Sequence, residues 1–373
     1  MSNRSSPARH PAFEHHLSTL CHGCFQSREK GFKTEAMLIC LIVPGPLATI
    51  SGGHTYDRRM ADSLRALGHD VQVLELDGRL PDPDQAAIYA ARTAWAALPA
   101  ASKILIDGVA LPAFAGLPLH QVTGLIHHPA ALETGLSEET AQRLHATEAA
   151  MFRDLPRLVV TSDQTKDRLV KDFGTPSDRI SVIVPGIDDL TRSTGSAGPA
   201  CQILSVGALI PRKGHDVLLH ALSRLFDLDW ELTLAGSTDR DPVHANGLRA
   251  LAEDLNITRR VRFVDDVTEA LWANADLFAL TSYFEGYGIA IAEALRRGVP
   301  VAVTNVGAVP TLVDPEAGVV CAPGELDQIS KSLRRLIFDS ALRHDMAEVA
   351  WQSARSLPSW NEQAGQLVTV LSA

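Results

Sequence analysis

The chain is 373 residues long, and at roughly 150 residues per domain it calls for two domains. Hydrophobic residues make up 46% and charged ones 21%, which excludes a disordered chain and fits a folded one. With 34 Lys and Arg against 44 Asp and Glu the formal charge is −10, which argues against a dedicated nucleic-acid binder while leaving room for a local basic cleft.

Residues 1–35 are rich in His, Ser and Arg, lack apolar periodicity and read as a flexible tail. Within them Cys21-His22-Gly23-Cys24, near His15 and His16, has metal-ligand residue types, but no second ligand pair stands at finger-like spacing. A natural start at Met37, where the first buried strand begins, is the simpler expectation. The five Cys, at 21, 24, 40, 201 and 321, are odd in number and scattered, so no disulfide framework is expected and a reducing cytoplasm is. No apolar run reaches the ~18–20 residues of a membrane span, and residues 1–30 lack the order of a signal sequence.

From Met37 onward short apolar runs alternate with amphipathic stretches. Strands are expected over 38–43, 71–76, 103–106, 122–126, 158–161 and 180–184, with a first helix from Ser51-Gly52-Gly53 to about 67. Residues 188–199 carry Gly, Ser, Thr and Pro without an apolar face and read as a linker. A second series follows. Its strands fall at 202–206, 231–235, 260–264, 277–280 and 299–303, and its helices at 214–226, 243–255, 287–297, 326–338 and 341–354. Strands alternating with crossover helices imply an α/β fold of two doubly wound parallel sheets, each covered on both faces. Leu357-Pro358 breaks the pattern before a last helix that runs to the C-terminus. The domains expected are thus 36–190, a hinge at 191–199, and 200–356. Such sheets place ligands outside the carboxyl ends of their strands, so two facing edges make one cleft suited to an extended, two-part ligand.

Two segments carry chemistry. Directly after the 277–280 strand, Glu285-Gly286-Tyr287-Gly288 opens a helix that holds Glu293, and Gly298 and Pro300 stop it. Glycines at a helix start leave backbone N–H groups open to an anion. The two glutamates lie at most ~12 Å apart at ~1.5 Å per residue, the span of a sugar joined to a nucleoside by a diphosphate. Taken alone, Glu285 fits a dipole-complementing role and Glu293 a solvated face, but Glu293 sits among Ile289, Ile291 and Leu295, where a carboxylate needs a partner. In the second segment, Gly207 ends a strand and Arg212-Lys213-Gly214 opens another helix. A guanidinium and an ammonium there could neutralise a diphosphate, or could form a solvated basic turn.

Together these residues resemble the retaining glycosyltransferases of family 4 (glycosyl transferases group 1), which have the GT-B fold. The resemblance rests on Glu285 with Glu293, on Gly207 to Gly214, on Val184-Pro185-Gly186-Ile187-Asp188 and on Gly52-Gly53, and spans roughly Met37 to the end. It implies that Glu285 holds hydroxyls of the transferred hexose and Glu293 those of the ribose, while Arg212 and Lys213 bind the diphosphate. It further implies that Gly207, Gly286, Tyr287 and Gly288 shape the donor site, which Gly52 and Gly53 approach from the other domain. It also implies that 357–373 crosses back to join the first domain, 36–190. A His near the anomeric carbon is implied at Ile126-His127-His128-Pro129, with a slight preference for His128. Read without the resemblance, such a tandem pair is a hydrogen-bonded filler.

The implied reaction is hexosyl transfer from a nucleoside-diphosphate sugar to a hydroxyl of an acceptor, with no cofactor and no metal. No Asp-x-Asp ends a strand. A UDP- or GDP-sugar donor, an envelope or exopolysaccharide setting and contact with the inner face of a membrane are compatible with it. Three positions depart from the family pattern: Ala208 for an Arg, Thr311 for an acid, and Asp265-Asp266 for a glycine. They keep open a nucleotide-sugar binder without transfer, and a sugar-nucleotide epimerase of related architecture is the other alternative. Arg58, Arg59 and Arg65 read as the solvated side of the first helix, or as a basic face toward anionic lipid or acceptor.

Overall fold

The computed structural model describes residues 35–49 and 51–373. The expected tail with Cys21 and Cys24 lies outside these residues. The first half runs β1 (Leu38–Pro44), α1 (Gly52–Ala66), β2 (Asp70–Leu76), α2 (Gln85–Ala97), β3 (Lys103–Asp107), β4 (Val122–Ile126), α3 (Glu138–Asp154), β5 (Arg157–Val160), α4 (Asp163–Phe173) and β6 (Ile180–Val182). Its six parallel strands are ordered β2-β1-β3-β4-β5-β6. Alternation along β1 sends Ile39, Leu41 and Val43 to one core with α1, and Ile42 to a second core with Ile104 and Ile106. Both faces are therefore buried, as crossover helices require.

The second half begins with β7 (Cys201–Val206), α5 (His215–Ser223), β8 (Trp230–Ala235), α6 (Pro242–Asp254), β9 (Val261–Val264), α7 (Glu269–Ala273), β10 (Leu277–Leu280) and α8 (Ile289–Arg296). It continues with β11 (Val301–Thr304), α9 (Val309–Leu312), β12 (Gly318–Cys321), α10 (Leu326–Phe338) and α11 (Ser340–Ser353). Its parallel order is β12-β11-β10-β7-β8-β9. The order reverses between β1 and β3 in one sheet and between β7 and β10 in the other. Gly52, Asp107, Gly207 and Glu285 all follow or end these four strands, at the switch points where such sheets bind ligands.

Among the elements that differ from the sequence reading are β12, α9 and α8. The short edge strand β12 and the single turn α9 carry no pattern long enough to announce them. Helix α8 starts at Ile289, two residues later than expected, because Gly288 at φ +95° is its left-handed N-cap.

The last helix, α12 (Trp360–Ser372), returns to the first half, where Trp360, Leu367 and Leu371 share a core with Tyr56, Met60 and Leu64 of α1. Ser359 and Glu362 form a capping box at its start. The outgoing and returning chains touch: Ile187 N–H donates to Pro358 O at 2.8 Å, and a Cβ on Gly186 would lie 2.2 Å from Trp360 N. Between them, the segment read as a hinge is bound to the second half. Thr194 N–H donates to Ala273 O at 3.1 Å, and Ser196 donates to Asp276 through its N–H (2.8 Å) and its hydroxyl (2.7 Å).

The arginines of α1 are bonded to the protein, while the side chains of Arg59 and Arg65 stay 40% and 45% exposed on the solvated side of the helix. Arg58 donates to the Leu47 and Thr49 carbonyls, Arg59 pairs with Asp188, and Arg65 holds Val71 O and Asp62. Cys40, Cys201 and Cys321 are buried free thiols. Among the described residues, no helix is long and apolar enough to cross a membrane.

Candidate functional site

On the first half the site is built at the start of α1 and the end of β4. Ser51 caps α1 by accepting from His54 N–H, and Gly53 follows in the first turn. A Cβ on Gly53 would stand 3.1 Å from Cδ2 of His127, and one on Gly286 would stand 2.6 Å from the His127 carbonyl oxygen. His127 is thus flanked by glycines from both halves, of which Gly286 leaves no space for a side chain and Gly53 leaves little. Its Nε2 lies 3.0 Å from Asp57 Oδ1 and 3.3 Å from Asp107 Oδ2, and Tyr56 meets its ring edge-on at 5.0 Å. Burial opposes a charge on the ring, but the two carboxylates outweigh it and push His127 up to about 10. His128 is its opposite. Both ring nitrogens are buried without a partner, the ring lies 4.1 Å from that of Phe284, and burial with Arg212 nearby pushes it down to about 3. The two carboxylates favour a charge on one ring, and burial disfavours it on the other.

On the second half, Gly207 ends β7 and leaves room for Lys213, whose Cε would sit 3.2 Å from an added Cβ. Lys213 Nζ donates to Glu285 Oε1 at 2.6 Å, and Ser282 Oγ donates to the same oxygen at 2.6 Å. Burial works to raise Glu285, but Lys213 and Arg212 overcome it and hold the carboxylate below its usual range. Burial also lowers Lys213, against the pull of Glu285. Arg212 Nη1 donates to Phe284 O at 2.8 Å, and its Nε lies 2.9 Å from Glu133 Oε1. Behind Glu285, a Cβ on Gly307 would fall 1.4 Å from its carbonyl oxygen, so only glycine allows that loop to support the turn.

Glu293 stands apart. It makes no side-chain hydrogen bond among the described residues, and burial pushes it up to about 7 despite Arg297 and Arg59. Arg297 is engaged elsewhere, by a two-pronged contact with Glu269 at 2.6 and 2.7 Å over the Trp272 ring. Tyr287 is largely packed among Ile187, Ala292 and Ala308.

These residues line two adjoining cavities. The larger, of about 380 Å³, is bordered by Gly207, Arg212, Lys213, Glu285, Gly288 and Glu293 of the second half and Gly52 of the first. The smaller, of about 100 Å³, adds Gly53, His127, His128, Gly286 and Tyr287. Gly52, Arg212, Lys213, Glu285 and Gly288 border both. Every residue that the resemblance placed in the donor site therefore borders one cavity or the other. Ala208 and Arg240 also line the larger one, whereas Asp265, Asp266 and Thr311 are exposed.

Sequence reasoning passed over Asp57, Asp107, Glu133 and Arg240. Asp107 left a signal, an acid ending the apolar run Ile104-Leu105-Ile106. Asp57 left a fainter one, a charge on the buried stripe that Tyr56, Met60, Ala61 and Leu64 define on α1.

Comparison with known proteins agrees with this architecture. Residues 187–352 match the family model described as Glycosyl transferases group 1. The chain is 31% identical over 268 residues to a D-inositol 3-phosphate glycosyltransferase of Nocardioides sp., covering 64% of this chain and 58% of that one. It spans roughly three fifths of the length of the curated relatives it matches. Among solved structures, it superposes on sucrose-phosphate synthase from Thermosynechococcus elongatus with a TM-score of 0.77 at 20% identity, over 90% of this chain and 98% of that one. It also superposes on Anabaena HepE in complex with UDP-glucose, with a TM-score of 0.71 at 18% identity, over 90% and 99%. The two-sheet GT-B fold expected from the sequence is the fold observed.

Proposed function

We propose that this chain, whose residues 187–352 belong to the glycosyl transferases of group 1, moves a hexosyl unit from a nucleoside-diphosphate sugar to an acceptor hydroxyl with retention of configuration. The observation that carries this reading is the larger cavity. Glu285 and Glu293 border it together, and Arg212 and Lys213 border it beside Glu285.

In this reading Glu293, which makes no side-chain hydrogen bond among the described residues, accepts from the ribose hydroxyls. Glu285, kept ionised by Lys213, accepts from the hexose hydroxyls. Arg212 and Lys213 face the diphosphate and stabilise the charge it gains as the anomeric C–O bond breaks. The acceptor oxygen bonds to the anomeric carbon on the face the diphosphate leaves, and its proton passes to the departing phosphate oxygen. The protein's share is positioning, charge stabilisation and exclusion of water. Of the two histidines, His127 takes the place beside the sugar, since its Nε2 is gripped by two carboxylates while both ring nitrogens of His128 are buried. No metal step enters this scheme.

The test is product analysis with a panel of UDP- and GDP-sugars and candidate acceptors, run in excess EDTA. The parent is expected to release nucleoside diphosphate in step with a retained glycoside, and Glu285→Ala and Lys213→Ala to lose at least a hundredfold in kcat. Donor binding without transfer would favour a binding protein, and an epimerised donor would favour an epimerase. Unchanged turnover in both variants would overturn the site.

A further inference from the structure

Asp57 is the charged residue that the sugar-transfer reading leaves without a task. It is 1% exposed and occupies an apolar position on α1. A buried carboxylate is costly unless paired. Its one hydrogen bond among the described residues is to His127 Nε2, and its Oδ2 has no partner. Asp107 differs, because its Oδ1 also accepts from Val109 N–H at 2.6 Å and so shapes the turn after β3. One side-chain atom each of Asp57, Asp107 and His127 lies within 4.8 Å of the other two. Two acceptors on one nitrogen fix a proton there and exclude the tautomer with a bare Nε2. The other nitrogen, Nδ1, has no partner among the described residues, and the ring borders the smaller cavity.

We propose that Asp57 is a positioning residue of this site: with Asp107 it grips Nε2 of His127, so that the ring stays an imidazolium with Nδ1–H turned to the cavity that receives the sugar and the diphosphate. This rests on the transfer reading above. The first half thereby supplies a cation opposite Lys213 and Arg212, and the developing negative charge is met from both sides. The groups facing the ring are Asp57, His54 and Tyr56 from α1 and Asp107 from the end of β3, while Lys213, Arg212 and Glu285 face it across the cavity.

The experiment pairs a charge readout with a kinetic one. Protein carrying ¹⁵N-histidine is titrated by NMR, with His127 assigned by its loss in His127→Gln. In the parent, His127 is expected to keep the shifts of a doubly protonated ring at pH 9; in Asp57→Asn it is expected to be neutral there and charged at pH 6. The kcat of Asp57→Asn should fall at least tenfold at pH 9 and less than threefold at pH 6, with the donor KM little changed and Asp57→Glu intermediate. A His127 titration identical in parent and Asp57→Asn, or an equal deficit at both pH values, overturns the proposal. Should Asp57→Asn not fold, Asp107→Asn carries the same titration. If the parent transfers no sugar from any donor, the transfer reading fails, and the NMR comparison still decides whether Asp57 holds the charge.

Discussion

Glu293 sits where its own protein stabilises it least. Burial lifts its folded pKa from the usual 4.5 to about 7, so its ionised form weakens the fold. The unfolded chain releases this proton first, and the contribution to stability therefore falls as pH rises from about 4.5 to about 7 and stays lost above. Removing the charge reverses this. Glu293→Gln is expected to raise Tm at pH 8 and leave it nearly unchanged at pH 4, while weakening donor binding at pH 8 about tenfold by calorimetry. The same ionisation makes donor binding by the parent weaken as pH falls through 7. A Glu293→Gln protein that binds donor like the parent would remove Glu293 from the site. The residues of the two glycine-rich turns were legible because charged and glycine positions interrupt apolar runs at strand ends. Asp57 was not, since a lone acid on a buried stripe resembles an error in the helical period until its partner is known. That partner, His127, lies 70 positions away. The partners of Arg58 and Arg59 were missed for a related reason: they are loop carbonyls and a distant Asp188, which helical periodicity does not encode.

At the level of elements, the strand and helix series was read almost throughout, because buried parallel strands are short continuous apolar runs and the helices between them are amphipathic. What escaped was small. Strand β12 is four residues at a sheet edge, and its Gly318 lies so close to Val301 that a Cβ would stand 2.4 Å from Val301 Cγ2. Helix α12 was expected to cross to the first half, and its energetic part there is testable. Trp360 is 6% exposed, meets the Tyr56 ring edge-on at 5.6 Å and packs beside Ala364 and Leu367. Trp360→Ala should cost about 3–5 kcal/mol in denaturant unfolding. It should also loosen α1, seen as faster amide exchange over residues 56–64. A loss below 1 kcal/mol would mean that α12 contributes little to the first core.

For the whole molecule, the bonds of Thr194 and Ser196 to Ala273 and Asp276 move the joint upstream of the segment whose composition suggested it. The two crossings between the halves lie at 184–190 and 357–359, which touch at Ile187 and Pro358. A paired crossing of this kind permits rotation of one half against the other with little stretching of either strand. Small-angle scattering should show the radius of gyration falling by roughly 1 Å when a nucleoside-diphosphate sugar is added. Asp276→Ala, which removes the two Ser196 bonds, should leave that change in place. A radius unmoved by donor would show that the cavity is already closed without it.

The position of α12 also bears on biosynthesis. A ribosome delivers this chain from its N-terminus, so the sheet of β1 to β6 is complete long before Trp360, Leu367 and Leu371 emerge to cover one of its faces. Until then Tyr56, Met60 and Leu64 are without those partners. The later half, whose own cores need nothing from residues 360–372, is free to settle first. The nascent first half therefore lacks these partners until residues 360–371 are made, and a product without them would expose the greasy side of the very helix that carries Asp57.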